Sequence, residues 1–256
     1  MKGIILAGGK GTRLFPLTKV TNKHLLPVGI EPMIFNPIRQ LLSAGIKDIL
    51  VVTSKEHMGD IVNLLGSGEN MGCNFTFKVQ ESAKGIAHGL SLAEGFVNGG
   101  SMAVILGDNI LTHSIKPHVD EFMEKKSGAK VLLKKVGDPE RFGVAALDEE
   151  NKMIIEIEEK PKNPKSSYAV IGVYIYDYTV FDIIRVLKPS DRGEFEISDV
   201  NNEYIKRNEI TYGVVKGEWT DAGTFESLHY ANEIMLTIKN KIQVDTNKAD
   251  SKDLFN

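Results

Sequence analysis

The sequence predicts an α/β fold, in which a mainly parallel sheet is flanked by helices and an antiparallel-rich lobe lies beside it. In the first half of the chain, short apolar runs alternate with segments of helical period. This alternation is typical of strand and helix units that place helices on both faces of a parallel sheet. Beyond Lys126, strand-like segments follow one another with few helices between them. We therefore expect a mixed sheet with two unlike halves.

The first half begins with a short apolar strand over residues 3–7, which runs into a glycine-rich turn. An amphipathic helix over about 32–44 ends at Gly45, where a glycine after the helix is common. Apolar runs and alternating apolar residues predict further strands over 48–53, 75–79 and 102–106. A helical hydrophobic period predicts helices over 56–65 and 86–96.

The second half is predicted to hold strands over 131–136, 143–147, 153–157, 169–176 and 210–215, and helices over 179–187, over 197–207 and from about 225. No linker-like tract separates the halves. We therefore expect one domain over residues 1–242, with halves of about 1–126 and 127–242. The polar segment 243–256 lacks periodicity and is expected to be a frayed tail.

The composition is that of an ordinary globular protein, with 42% hydrophobic and 25% charged residues in 256. It excludes a disordered, coiled-coil or collagen-like chain. The net charge of −3 shows no excess of Lys and Arg, so neither a nucleic-acid nor a membrane partner is expected. No apolar stretch approaches the roughly 18 residues of a membrane span. Together with a single cysteine, Cys73, this predicts a cytoplasmic protein.

The first chemical signal is the turn Gly8-Gly9-Lys10-Gly11-Thr12-Arg13 after the first strand. Glycines there let backbone N–H groups approach a phosphate, and Lys10 and Arg13 supply positive charge. A dinucleotide fingerprint needs a third glycine where Leu14 stands, and no Walker A string occurs in the chain. A nucleotidyltransferase loop and a purely structural turn both remain open on this segment alone.

Further motifs follow in a fixed order along the chain. They are residues 6–14 (LAGGKGTRL), 22–28 (NKHLLPV), 79–80 with 85–87, 106–109 (LGDN), 138–144 (DPERFGV), 158–161 (EEKP), 192–199 (RGEFEISD) and 219–223 (WTDAG). This ordered set resembles the sugar-1-phosphate nucleotidyltransferases, and within that family it is most similar to the short thymidylyltransferases. The resemblance implies a Rossmann-like sheet with a nucleotide-binding half and an antiparallel-rich sugar-binding half.

The implied reaction is attack of a sugar 1-phosphate on the α-phosphorus of a nucleoside triphosphate, with release of pyrophosphate. The implied substrates are dTTP, or alternatively UTP, and glucose 1-phosphate. A phosphate nucleophile is already anionic, so catalysis would depend on cations and on Mg²⁺ rather than on a general base. A sensor subunit without activity would have lost its charged site residues. A glycosyltransferase would carry a D-x-D motif, which this chain lacks.

The resemblance assigns roles to individual residues. The catalytic set is Arg13, Lys23, Asp108, Lys160 and Asp221, with Asp108 and Asp221 as the metal ligands. The nucleotide-binding set is Leu6, Gly8, Gly9, Gly11, Thr12, Arg13, Lys23, His24, Gln80, Gly85 and Asp108. The sugar-phosphate set is Gly143, Glu159, Lys160, Val170, Tyr174 and Arg192.

Each assignment has a simpler alternative. Asp108 follows an apolar strand, where ligands meet parallel sheets, but an aspartate there also caps turns. Lys23 could be a solvated lysine. Glu156, Glu158 and Lys160 alternate along one predicted strand face and could form only a surface charge ladder.

The chain departs from the family pattern at His24 and His88, where glutamine is common, at Phe142 for tyrosine and at Ile171 for threonine. Because a histidine titrates near pH 6.5, His24 predicts a dTTP affinity that changes between about pH 6 and 7.5. The chain also lacks the helical extension of longer relatives. Their tetramer and inhibitory nucleotide-sugar site are therefore not assumed for this chain, and a homo-oligomer is left open.

Overall fold

The computed structural model describes the backbone of residues 1–252 and the side chains of residues 1–238. The strands are β1 (Lys2–Ala7), β2 (Pro27–Val28), β3 (Glu31–Pro32), β4 (Asp48–Ser54), β5 (Asn74–Gln80), β6 (Met102–Leu106), β7 (Asn109–Leu111), β8 (Ala129–Lys135), β9 (Gly143–Asp148), β10 (Met153–Glu159), β11 (Tyr168–Tyr176), β12 (Ile210–Val214) and β13 (Trp219–Asp221). The helices are α1 (Phe35–Ser43), α2 (Met58–Leu65), α3 (Ile86–Ser91), α4 (Glu94–Val97), α5 (Lys116–Lys125), α6 (Val180–Val186), α7 (Ile197–Lys206) and α8 (Phe225–Lys252).

Nine strands form one mixed sheet in the order β10-β9-β11-β6-β1-β4-β5, with β8 beside β11 and β12 beside β8. The strands of the first half, β6, β1, β4 and β5, are all parallel to their neighbours within that group. Strand β11 joins them to the second half by pairing antiparallel with β6, β8 and β9. The predicted fold class, an α/β mixed sheet with an antiparallel-rich part, is confirmed.

Residues of β1 alternate between two hydrophobic clusters, one on each face of the sheet. Ile4 and Leu6 belong to the first cluster, and Ile5 and Ala7 belong to the second. Helices α3, α6 and α7 cover the first face, while α1, α2 and α5 cover the second. Because successive side chains of a strand point to opposite faces, an apolar run such as that of β1 requires helices on both sides.

A small two-stranded sheet brings distant parts of the chain together at the end of β6. Strand β7 follows β6 after two residues and pairs antiparallel with β13, so that Asp221 lies opposite Asn109. The backbone N–H of Ala222 also donates to the carbonyl oxygen of Asp108 at 2.8 Å. Sequence patterns did not predict this pairing, because a three-residue strand carries no measurable period. They also missed helix α5, whose ten residues include few apolar side chains.

The helical predictions differ from the structure mainly at their ends. Helix α1 starts at Phe35 rather than near 32, and the helix predicted over 86–96 divides into α3 and α4. Helix α8 runs to Lys252 and so includes most of the segment expected to be a frayed tail. Adding residues to an existing helix is much easier than starting one. Residues 253–256 of that segment lie outside the described residues. Among the described helices, none combines the length and apolar character that crossing a membrane requires.

Candidate active site

A cavity of about 370 Å³ opens at the edge of the sheet where β1, β5 and β6 end. Ligands of open α/β sheets bind at this edge, beyond the carboxyl ends of the parallel strands. The antiparallel strands reach the same edge with the start of β9, the end of β10 and the first half of β11. We call the side of Gly8, Lys23, Gln80 and Asp108 the parallel end of the cavity. The side of Gly143, Glu159, Lys160 and Ser198 is the antiparallel end.

Most of the predicted site residues line this one cavity, although they come from segments far apart in the sequence. They are Leu6, Gly8, Gly9, Arg13, Lys23, His24, Gln80, Gly85, Asp108, Gly143, Glu159, Lys160, Val170, Tyr174 and Asp221. Gly11, Thr12 and Arg192 do not line it. The structure therefore brings most of these residues together in one cavity, and the three exceptions have structural explanations.

Gly11 shapes the glycine-rich turn rather than lining the cavity. Its φ is +63°, a left-handed conformation that favours glycine, and its carbonyl oxygen accepts from the hydroxyl of Thr18 at 2.9 Å. A Cβ at Gly11 would press on Thr18 and on the Lys23 side chain. Thr12 is exposed on the outer side of the turn. The turn thus holds Lys23 and Arg13 in place through its shape.

Asp108 and Asp221 are both in the cavity wall, and each is paired with a cation. Lys23 forms an ion pair with Asp108, and Nη2 of Arg141 donates to Oδ1 of Asp221 at 3.2 Å. Burial would raise the pKa of Asp108, but Lys23 and His24 outweigh it and lower this pKa to about 2. Burial, and then repulsion from Asp108, raise the pKa of Asp221 to about 6 in spite of nearby Arg141 and Arg13.

Asp108 and Asp221 line the same cavity, where the pairing of β7 with β13 brings their segments together, and repulsion from Asp108 contributes to the raised pKa of Asp221. Mg²⁺ prefers oxygen ligands and is typically held by one or two carboxylates together with substrate phosphates. Among the described residues there is no cluster of three or more His, Cys, Asp or Glu side chains of the kind that would enclose a metal alone. The donor set therefore fits a divalent cation that arrives with a phosphate ligand.

Lys23 and His24 lie on a short 3₁₀ turn, Lys23–Leu25, whose start is capped by Asn22. Oδ1 of Asn22 accepts from the backbone N–H of His24 at 2.9 Å and from Nδ1 of the same residue at 2.6 Å. His24 is only 2% exposed, and burial, followed by the charge of Lys23, lowers its pKa to about 3. The expectation that His24 titrates between pH 6 and 7.5 is therefore wrong. A neutral ring that donates through Nδ1 presents Nε2 as an acceptor.

Gln80 ends β5 at the parallel end and lies close against the glycine turn. A Cβ at Gly8 would overlap Oε1 of Gln80, so only glycine permits this approach. Nε2 of Gln80 donates to Nδ1 of His88 at 3.0 Å. Burial, and then the charge of Lys84, lower the pKa of His88, which keeps its ring neutral and able to accept. His88 is outside the cavity wall and fixes which way the Gln80 amide faces.

Glu159 and Lys160 lie together at the antiparallel end. The hydroxyl of Ser198 donates to Oε2 of Glu159 at 2.6 Å, while Nζ of Lys160 is 3.6 Å from Oε1. Lys160 follows the last residue of β10 and has a φ of +47°, so it leaves the alternation of the strand. Glu156 pairs instead with Lys165. The alternative of a surface charge ladder through Lys160 is therefore excluded.

Arg192 does not reach the cavity because carboxylates hold it outside. Its Nη2 lies 2.9 Å from Oε1 and 3.0 Å from Oε2 of Glu196, and 3.7 Å from Oε1 of Glu159. These pairs raise the pKa of Arg192 against the opposing effect of its burial. In this structure Arg192 therefore pairs with Glu159 and Glu196 and does not line the cavity itself.

The cavity wall also contains residues to which the resemblance assigned no role. They include Asn109, Arg141, Trp219 and Ser198. Asn109 links several parts of the wall: its Nδ2 donates to Asp108 at 3.1 Å, and its Oδ1 accepts from Trp219 Nε1 at 2.7 Å. All four stand inside or beside the ordered motifs, which was the available signal. Of the departures, Phe142 lines the cavity and packs against Trp219, whereas Ile171 is buried in the second cluster.

Comparison with known proteins places this cavity in context. The model of the nucleotidyl transferase family matches residues 2–238. The glucose-1-phosphate thymidylyltransferase of Neisseria gonorrhoeae is 44% identical over 94% of this chain and 84% of its own length. The enzyme of that name from Mycolicibacterium smegmatis is 41% identical over 93% of this chain and 83% of its own.

Solved structures show the same relationship. A Bacillus anthracis protein assigned as a glucose-1-phosphate thymidylyltransferase, in complex with a sucrose, is 59% identical with a TM-score of 0.88 over 92% of this chain and 95% of its own. A UDP-glucose pyrophosphorylase complexed with UDP-glucose is 27% identical with a TM-score of 0.80 over 91% of this chain and 97% of its own.

Proposed function

The chain belongs to the nucleotidyl transferase family, and we propose on that premise that it joins dTTP and glucose 1-phosphate to form dTDP-glucose and pyrophosphate. Curated relatives with this activity in their names match nearly the whole chain. The observation that carries the proposal is the cavity at one edge of the sheet. It combines two carboxylates, three cationic side chains and two further hydrogen-bonding side chains, namely Asp108 and Asp221, Arg13, Lys23 and Lys160, and Gln80 and Glu159. The enzyme is thus a nucleotidyltransferase.

The reaction needs positioning and charge neutralisation more than proton transfer. Oxygen of a sugar phosphate is already anionic near neutral pH and requires no general base to attack phosphorus. Two anionic substrates must be held side by side, and cationic side chains reduce their repulsion. We assign Arg13 and Lys23, at the parallel end, to the triphosphate. Lys160, at the antiparallel end, is assigned to the phosphate of the sugar.

Asp108 and Asp221 are the residues that would hold a divalent cation, and we propose Mg²⁺. Such an ion, when bound, neutralises phosphate charge and acts as a Lewis acid. The contribution of the chain is to keep both carboxylates at one place, through the pairing of β7 with β13 and the backbone hydrogen bond of Ala222 to Asp108. Asn109 further fixes Asp108 by donating to its Oδ1.

The base would lie at the parallel end, where Gln80 offers both an acceptor and donors that match a pyrimidine edge. His88 removes one of the two N–H donors of Gln80 and thereby orients the amide. Gly85 has a φ of +98°, and a Cβ there would overlap the backbone of Phe195. This glycine keeps the 81–87 segment close against Phe195 and leaves the base site open.

The sugar would lie at the antiparallel end. Glu159 is an acceptor for sugar hydroxyls, and Ser198 holds one of its oxygens in place. Gly143 leaves room beside them, since a Cβ would come within 3.3 Å of both Ser198 and Glu159. Burial, and then the charges of Glu159 and Asp108, raise the pKa of Tyr174, so its hydroxyl stays protonated.

The deciding experiment measures pyrophosphate release for four nucleoside triphosphates, each with several sugar 1-phosphates. We expect the highest kcat/KM for dTTP with glucose 1-phosphate, and we expect UTP to be the principal competitor. A kcat/KM about tenfold higher with UTP would make the enzyme a uridylyltransferase. No release from any pair would indicate a sensor without activity. A cytoplasmic location and the lack of a nucleic-acid partner are part of the same proposal.

A further inference from the structure

Each carboxylate of the proposed metal site is held by one cation from a distant segment. Lys23 pairs with Oδ2 of Asp108, and Arg141 lies 3.2 Å from Oδ1 of Asp221. All four side chains line the cavity. Arg13 also lies near Asp221, so this part of the cavity combines two carboxylates with three cationic side chains.

Two neighbours in its own segment hold the guanidinium of Arg141. Nη1 donates to Oδ2 of Asp138 at 2.6 Å, and the guanidinium lies 5.1 Å from the ring centre of Phe142. Phe142 in turn packs edge-on against Trp219, two residues before Asp221, with ring centres 5.2 Å apart. The position of Arg141 relative to Asp221 is therefore set by packing, and Arg141 lines the cavity.

A divalent cation on Asp108 and Asp221 would take the carboxylate partner of Lys23 and one of the two carboxylate partners of Arg141, whose Nη2 would then lack an acceptor. Charged side chains that are partly buried are costly to leave unpaired. Phosphate oxygens entering the same cavity provide a replacement, and a guanidinium suits them well because it can donate two parallel hydrogen bonds. A cation that gives up a carboxylate to the metal can therefore pair with a phosphate oxygen instead.

We propose that Arg141 is a further phosphate-binding residue, which holds Asp221 when no divalent cation is bound and passes to a substrate phosphate when Asp221 takes the cation. The proposal rests on the proposed function, since it uses the same metal and phosphate sites. It makes Arg141 a competitor of the metal and a ligand of the substrate. Removing its charge should therefore act on the two ligands in opposite directions, which a purely structural role would not do.

The test uses Mn²⁺, an oxygen-seeking ion of the same class as Mg²⁺ that is visible by electron paramagnetic resonance. In Arg141→Met without substrates, we expect Mn²⁺ to bind about two- to fivefold tighter, the value of a half-exposed ion pair. In the same variant, KM for one phosphate substrate should rise about tenfold or more, as for a lost charge-assisted hydrogen bond. A rise for dTTP places Arg141 on the triphosphate, and a rise for glucose 1-phosphate places it on the sugar phosphate.

Two matched variants serve as controls. Arg141→Lys keeps the charge and should retain Mn²⁺ affinity close to that of the wild type. Arg185→Gln removes a surface arginine that pairs with Asp182 and Glu94. It should change neither the Mn²⁺ affinity nor the KM of either substrate. If Arg141→Met does not fold, as judged by circular dichroism, Arg141→Gln gives the same comparison.

If Arg141→Met folds and binds Mn²⁺ as the wild type does or more weakly, the proposal that Arg141 passes from Asp221 to a phosphate is wrong. Unchanged KM values for both substrates would also contradict it. Mn²⁺ binding is measured without turnover, so it does not depend on the identity of the substrates. Tighter Mn²⁺ binding in a protein that forms no dTDP-glucose would leave the competition at Asp221 intact and refute only the proposed function.

Discussion

At the parallel end of the cavity, the ion pair of Lys23 and Asp108 is nearly closed off from water, with side chains 12% and 13% exposed. At the antiparallel end, Lys160 is 48% exposed, and Arg192 shares the carboxylates of Glu159, Glu194 and Glu196. When one partner of a buried ion pair is removed, the other charge stays unpaired in a medium of low dielectric. When the pair is exposed, water solvates the remaining charge instead. Substitutions should therefore have larger effects at the parallel end.

The largest effect is expected from Asp108→Asn and Asp221→Asn, which we predict to lower kcat at least about a hundredfold. Each removes one carboxylate of the proposed metal site, and Asp108→Asn also leaves Lys23 unpaired. Turnover at saturating substrates and Mg²⁺ gives the result. Asp120→Asn, at a surface carboxylate that pairs with Lys116, should retain full activity. Near-normal turnover in either site variant would contradict the two-carboxylate site.

The two ends can be separated with Lys23→Ala and Lys160→Ala. We expect Lys23→Ala to raise KM for dTTP and Lys160→Ala to raise KM for glucose 1-phosphate, each by about tenfold or more, as for lost hydrogen bonds to charged groups. The increase should be larger for Lys23→Ala, because the pair of Lys23 with Asp108 is the more buried. Lys165→Ala, at an exposed pair with Glu156, is the matched control. A reversed pattern in steady-state kinetics would mean that the substrates occupy the opposite ends.

A smaller effect should distinguish the two positioning residues. Ser198→Ala should raise KM for glucose 1-phosphate, because Glu159 loses its hydrogen bond, and His88→Ala should raise KM for dTTP through Gln80. Each change should be about two- to tenfold, the range of a single neutral hydrogen bond. Ser43→Ala, at a surface serine beside Ser114, should have no effect. If both variants changed both constants equally, the ends would not act independently.

His24→Gln should have the smallest effect on activity. Because burial and Lys23 lower the pKa of His24 to about 3, the ring is neutral between pH 6 and 7.5. The pH dependence of the dTTP affinity should therefore be the same in the variant and the wild type. A pH dependence in this range that His24→Gln abolishes would show that the ring does titrate there.

The same shift predicts an effect on stability. The unfolded chain protonates His24 near pH 6.5 and the folded chain only near pH 3, so folding loses stability as pH falls from 6.5 toward 3. At pH 5 this loss is up to about 2 kcal/mol. The Tm of His24→Gln should decrease less than that of the wild type between pH 7.5 and 5. Parallel decreases would mean that His24 is protonated in the folded state.

The sequence determined the elements whose pattern is local. The apolar run of β1 requires cover on both faces, and the glycines after it permit the close approach of Gln80 to Gly8. The position of Asp108 just beyond an apolar strand indicated the correct edge of the sheet. The hydrophobic period of a strand or helix and the shape of a tight turn depend on residues close together in the chain. A single sequence is therefore sufficient to predict them.

Only the tertiary structure decided which of these residues face one another and in what state of charge. Arg141 meets Asp221 across 80 residues, and Trp219 meets Asn109 across 110, because β7 and β13 pair beside the end of β6. Three-residue strands leave no periodic trace in the sequence. The neutrality of His24 and the exclusion of Arg192 from the cavity likewise depend on burial and on distant carboxylates. Burial and electrostatic interactions depend on residues from the whole folded chain, so no local sequence pattern encodes them.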